Sequence, residues 1–185
     1  SSGMIRSTVT AAPRRVRVLL AKMVVILVTG VLIFGLSLAG GWGVGYLLLQ
    51  DSRLIDLTLL TATSLRILLG FVAKMVLLAL LSFGIGAWIR STAGSIGAAL
   101  GLFILLPFIG NLVVTLSSGG GELTGWRLWL SDAVAFLPTN ASDLVLMDTV
   151  PTSSILTAWE GLGVLGAWTL LFLVISIIAT VRRDL

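Results

Sequence analysis

The chain has 185 residues, 57% of them hydrophobic and only 11% charged, and its mean hydropathy is +1.13. A water-soluble domain of this size would lack the polar side chains to cover its own surface, so soluble globular classes are excluded and lipid is the solvent that fits. The formal charge is +4, and with no Cys and no His the chain has no disulfides, thiol nucleophiles, imidazole acid–base chemistry or Cys/His metal centres.

The chain opens with "SSGMIRSTVTAAPRRVRVLLAK", a basic, hydroxyl-rich segment ahead of a long apolar run. Pro13 suits the first turn of a helix, where its missing N–H is not needed. One helix is therefore expected to start near Pro13 and to run on into the first span. Ahead of it, Met4, Ile5 and Val9 give a short element an apolar side, while Arg6, Ser7 and Thr8 are polar. Such an element lies on headgroups or docks in a partner's groove. A signal peptide is rejected, because the apolar run is too long and no small-residue cleavage site follows it cleanly.

The gaps between charges mark four spans, at about residues 20–42, 66–89, 93–116 and 161–181, each near the ~20 apolar residues that cross a bilayer core. The runs are continuously apolar, as in "VVILVTGVLIFGLSLAG", and lack the alternation of membrane strands. The expected fold is thus an all-α integral membrane protein, a single transmembrane domain over residues 1–185. With four spans both ends share a side. That side carries Arg6, Arg14, Arg15, Arg17, Lys22, Arg90, Arg182 and Arg183 against Asp184. The other carries Arg53, Arg66 and Arg127 against Asp51, Asp56, Glu122, Asp132, Asp143, Asp148 and Glu160. The positive-inside rule then makes both termini cytoplasmic and accounts for the basic character without nucleic acid.

Within the second span Lys74 is the one charge. An ionisable residue in a span is a functional candidate, set against a lysine that merely snorkels to the headgroups. In the third span "GAALG", Gly97–Gly101, reads as helix packing within the chain rather than a dimer seam. Pro107 removes a backbone hydrogen bond mid-span and should kink the helix, with Gly110 and Asn111 a flexible polar point beyond it. Phe103, Pro107, Asn111 and Lys74 are accordingly the pathway candidates. The outer loop, 117–160, starts flexibly with "SSGGGELTG" and then mixes Trp, Leu and acids in a helical pattern broken at Pro138. It reads either as an interfacial or re-entrant helix pair or as a plain loop, anchored by Trp126, Trp129 and Trp159 at headgroup depth. Asn140-Ala141-Ser142 is formally a glycosylation sequon. "GLGVLG", Gly161–Gly166, matches a dinucleotide fingerprint only formally; it opens a span, and packing is the better reading. No nucleophile stands with a base, so the chain is not expected to be an enzyme.

"SGMIRSTVTAAPRRVRVLLAK" resembles the intracellular loop of ABC-2-type permeases, the membrane subunits of a family of ABC transporters, through Gly3, Met4, Ile5, Arg6, Thr8, Pro13, Arg14, Arg15 and Lys22. "GIGAWIRSTAGSI", Gly84–Ile96, resembles that family's turn between its fourth and fifth spans, and "VRRDL" its cytoplasmic end. The resemblance implies a six-span permease whose first two helices precede these residues; the alternative is a true start at Met4 behind three foreign residues. It further implies a plasma-membrane exporter working as a dimer with a second permease copy or paralogue. A separate ABC ATPase would hold the ATP and Mg, and no cofactor is expected in this chain, which has no phosphate-binding loop. Residues 1–18 would be the cytoplasmic coupling segment, with Met4, Ile5, Arg6, Ser7 and Thr8 contacting the ATPase. The competing readings are a non-transporting membrane scaffold or assembly subunit, and a lipid-modifying enzyme without visible catalytic residues.

Overall fold

The computed structural model describes residues 15–49, 62–89, 91–118, 125–152 and 154–182, and the ATPase-coupling candidates Met4, Ile5, Arg6, Ser7 and Thr8 lie outside them. All regular structure among the described residues is helical. The helices are α1 (Arg15–Leu49), α2 (Ala62–Trp88), α3 (Thr92–Leu100), α4 (Leu106–Ser118), α5 (Trp126–Ala135), α6 (Pro138–Asp143) and α7 (Ala158–Arg182). A π-helical turn, Gly101–Leu105, joins α3 to α4, and a 3-10 turn, Leu144–Leu146, follows α6. Four stretches are long and apolar enough to cross a membrane: Arg17–Leu48, Thr63–Trp88, Thr92–Ser117 and Ala158–Val181. The chain is a multi-pass membrane protein.

The first span is longer than its hydropathy core. Its helix continues through "GGWGVGY" to Leu49, although glycine costs up to about 1 kcal/mol per residue in a helix. In lipid the helix is the one local structure that satisfies every backbone group, and that constraint overrides propensity. Trp42 and Tyr46 stack near its end, with ring centroids 6.4 Å apart. The last span starts at Ala158, three residues earlier than hydropathy alone suggests. A reciprocal cap explains the difference: the Thr157 N–H donates to Glu160 Oε2 at 2.8 Å, and the Glu160 N–H donates to Thr157 Oγ1 at 3.4 Å.

Where a proline kink is expected, the structure has a π-helical turn. Pro107 cannot donate to the carbonyl one turn back, and its ring would crowd that carbonyl in a regular helix. The preceding turn widens instead, so that the Leu106 N–H donates to the Gly101 carbonyl, five residues back.

The core lies between α2 and α7, where Leu81, Ile85 and Leu165 are buried, flanked by Trp168, Phe172 and Phe103. The backbones approach closely there: a methyl group on Gly84 would lie 3.1 Å from the Phe172 carbonyl carbon. A second cluster, Val145, Ala158 and Leu162, ties the 3-10 turn to the start of α7. By contrast α1 and the third span are buried over only 6% of their apolar windows. A methyl group on Gly97 or Gly101 would meet nothing within 4 Å, so the in-chain packing of "GAALG" runs through Ala98 and not through its two glycines. Ala98 of α3 and Leu102 of the π-helical turn pack on the α2–α7 core instead. Of the three glycines in "GLGVLG", Gly161 packs tightly, against the Ala141 carbonyl of α6, while a methyl group on Gly163 or Gly166 would meet nothing within 4 Å.

Any side chain at 161 would therefore drive α6 off α7. Gly161→Ala should lower stability by about 1–3 kcal/mol, the usual cost of overpacking, while Gly163→Ala should change it little. Thermal unfolding in detergent checks this, and equal melting points for the two variants would contradict the contact.

Candidate functional site

Helices α5 and α6 form a hairpin that reaches along three spans. Gly110 of α4 permits the first contact, since a Cβ there would lie 2.8 Å from Val134 of α5. The expected flexible point at Gly110 is thus a close packing point. The second contact is the Trp168 indole N–H of α7, which donates to the Phe136 carbonyl at 3.1 Å. The third is Lys74, whose ammonium pairs with Asp143 Oδ1. Pro138 sets the hairpin's shape, because it stops α5 and occupies the first turn of α6.

Lys74 is 6% exposed, so it does not snorkel: its ammonium points inward to a carboxylate on another element. Asp143 has a half-open side chain, 51% exposed against 8% for that of Lys74. The chain after Asp143 runs back along α2. Val145 packs against Gly70, and Arg66 Nη2 then donates to the Met147 and Asp148 carbonyls at 2.6 and 2.9 Å. Lys74 and Arg66 are eight residues apart, about 12 Å along a helix. Two cations on one helix thus hold both ends of the segment Asp143–Asp148, the first through a carboxylate and the second through carbonyls. Fixed carbonyls suit a guanidinium, which offers several donors in a planar fork.

Beside this hairpin lies a cleft of about 710 Å³ between α4, α5, α6 and the chain before α7. Its polar lining is Asn111, Ser131, Asp132, Asn140, Asp143 and Ser154; its apolar walls include Val114, Leu128, Val134, Leu144 and Ile155. Asn111 Nδ2 faces Asn140 Oδ1 at 3.5 Å across it. Asn140 Nδ2 donates to the Val134 carbonyl at 2.9 Å, so the sequon asparagine is engaged inside the hairpin.

Of the four pathway candidates, the cleft brings together Asn111 and the partner of Lys74. Phe103 lies partly buried on the α2–α7 core, and Pro107 is buried in the third span without lining the cleft. Trp126, Trp129 and Trp159 are exposed, by 63%, 78% and 58%, as headgroup anchors would be. Sequence reasoning missed Asp143 as the partner of Lys74, Arg66 as a clamp, and Asp132 and Asn140 as cleft residues. The one available signal was general: a cation inside a span needs a counter-charge, and several acids could have supplied it. Among the described residues no group of three or more acidic side chains could hold a metal. Comparison of the chain with protein families, with curated proteins and with solved structures finds no match.

Breaking the pair should be asymmetric. Asp143→Asn leaves an ammonium buried without a counter-charge and should cost about 3–5 kcal/mol, the range seen when one partner of a buried pair is removed. Lys74→Met leaves a half-exposed carboxylate and should cost less. The double variant Lys74→Met/Asp143→Asn should recover part of the loss. Denaturant unfolding in mixed micelles measures all three, and equal costs for the single variants would contradict a buried Lys74.

Proposed function

We propose that the chain is the permease subunit of an ABC transporter, forming with a second copy or a paralogue a pathway for ATP-driven export across the plasma membrane. The observation that carries the reading is the segment Gly3–Lys22, with Gly3, Met4, Ile5, Arg6, Thr8, Pro13, Arg14, Arg15 and Lys22 in the pattern of the ABC-2 intracellular loop. A helix that runs unbroken from Arg15 to Leu49 supports it, because an ATPase outside the membrane moves a span only through a rigid connection. In this reading two further helices precede the segment, and ATP and Mg belong to a partner ATPase.

The charge distribution supports cytoplasmic termini. With Lys74 set aside, eight of the cations fall on the side of the two ends and three on the other. With that orientation the α5–α6 hairpin lies on the outer side and is re-entrant. Three contacts support this, at Gly110, Lys74 and Trp168, which lie 7, 11 and 10 residues from the outer ends of their spans, Ser117, Thr63 and Ala158. At 1.5 Å per residue these depths are roughly 10–17 Å. Polar backbone at that depth is tolerated where protein covers it or where it lines a cavity, and the hairpin has both a covered side and a cleft.

Two experiments test the proposal. Ile5→Asp and Arg6→Glu should uncouple ATP hydrolysis from transport and weaken co-purification of the ATPase, with the permease still inserted. Arg14→Ala, Arg15→Ala and Arg17→Ala should do much less, since in this reading their charge serves topology rather than coupling. Full coupling in the Ile5 and Arg6 variants would remove the main support. For topology, cysteines introduced at Ser52 or Gly120 should react with an impermeant maleimide on intact cells, and reaction only after lysis would reverse the orientation.

A further inference from the structure

We infer that the cleft between α4, the α5–α6 hairpin and the chain before α7 binds a monovalent amphiphilic organic cation, with the Asp132 carboxylate as its counter-ion. Charge sets the sign of the ligand. Two carboxylates line the cleft, Asp132 and Asp143, and among the described residues no Lys or Arg does. Lys74 neutralises Asp143 from the buried side. Asp132 is half-buried, and its carboxylate accepts a hydrogen bond from the Ser131 hydroxyl at 3.4 Å. One negative charge is therefore left facing a partly desolvated space, where an opposite charge is worth more than in water.

Size and wall chemistry narrow the ligand. A volume of about 710 Å³ is that of a site for a drug-sized organic molecule. A bare monovalent metal ion would leave most of it empty, and a divalent ion needs more oxygen ligands than one free carboxylate provides. Apolar walls from Val114, Leu128, Val134, Leu144 and Ile155 suit a hydrocarbon or aromatic body. The amides of Asn111 and Asn140 offer a neutral hydrogen-bonding edge on the α4 side. Anionic and zwitterionic headgroups fit poorly, because a phosphate would find no cationic partner among the described residues of the lining. The inference rests on the permease reading only in making this ligand a cargo. Binding to the isolated chain needs no ATPase, so the two can fail separately.

The test uses two probes of nearly equal size and opposite charge, radiolabelled tetraphenylphosphonium and tetraphenylborate, with the purified full chain in neutral detergent. Tetraphenylphosphonium should show a saturable component near one per chain, displaced by unlabelled probe, and tetraphenylborate should show none. Asp132→Asn should weaken phosphonium binding by at least about tenfold, on the scale expected for losing one Coulombic ion pair in a partly desolvated site. Leu128→Trp should block it by filling the cleft. Trp129→Ala, on the exposed face of α5, should leave it unchanged, and unaltered melting points would show that the variants fold. Saturable binding of tetraphenylborate, absence of saturable phosphonium binding, or full affinity in a folded Asp132→Asn variant would each overturn the inference.

Discussion

The arrangement around α2 depends on one constraint: a lysine inside a membrane-length helix must find a negative charge. Leaving an ammonium at the centre of a span costs roughly 2.5–3.5 kcal/mol on insertion scales. Lys74 meets the constraint by pairing with Asp143, sixty-nine residues away in sequence. That partner sits at the end of α6, so the α5–α6 hairpin must reach inward to deliver it. The consequences spread along the chain. The 3-10 turn must lie on α2, which needs Gly70 opposite Val145, and α6 must lie on α7, which needs Gly161 opposite the Ala141 carbonyl.

The distribution of packing follows from the same arrangement. Helices α2 and α7, with the hairpin between them at one end, hold the fully buried side chains. The first and third spans hold almost none. In water such a division would be unstable, but between lipid and a helix there is no hydrophobic penalty for exposed Leu and Val. In the permease reading the two peripheral spans are the ones free to meet lipid or a second copy, and the first is also the one continuous with the coupling segment. The widened turn at Gly101–Leu105 falls in the other peripheral span. Pi-helical turns are frequent at functional sites.

Much of this was legible in the sequence because hydropathy over 20 residues is a strong signal. The four spans and the helical class follow from it, and the break at Pro138 follows from the proline. The ends were less legible. The "GGWGVGY" stretch looks like a terminator by propensity yet is helical, and the Thr157–Glu160 cap moves the start of α7 outward. Contacts between distant segments were legible only in part. Lys74 stood out as anomalous, but seven acids in the segments opposite the chain ends competed to be its partner, and nothing local distinguishes Asp143. The glycines show the same limit. Gly161 and Gly97 sit in equally suggestive motifs, and only the first is packed, because spacing shows which faces are small and not what stands opposite them. Asp132 gave no signal, since its importance comes from the cleft around it.

The docking of the hairpin onto α2 at the level of Lys74 is the claim from which the rest follows, and it is open to one direct measurement. The chain has no cysteine, so a pair introduced at Gly70 and Val145 is free of background. A Cβ on Gly70 would lie 3.2 Å from that of Val145, near the range a disulfide spans. In native membranes mild oxidation should remove both thiols of the Gly70→Cys/Val145→Cys variant from reaction with a polyethylene-glycol maleimide, seen as loss of a gel shift that reduction restores. Adding Asp143→Asn should slow that protection markedly. Thiols that stay reactive after oxidation would contradict the docked hairpin, and equal protection with and without Asp143 would contradict the ion pair as its cause.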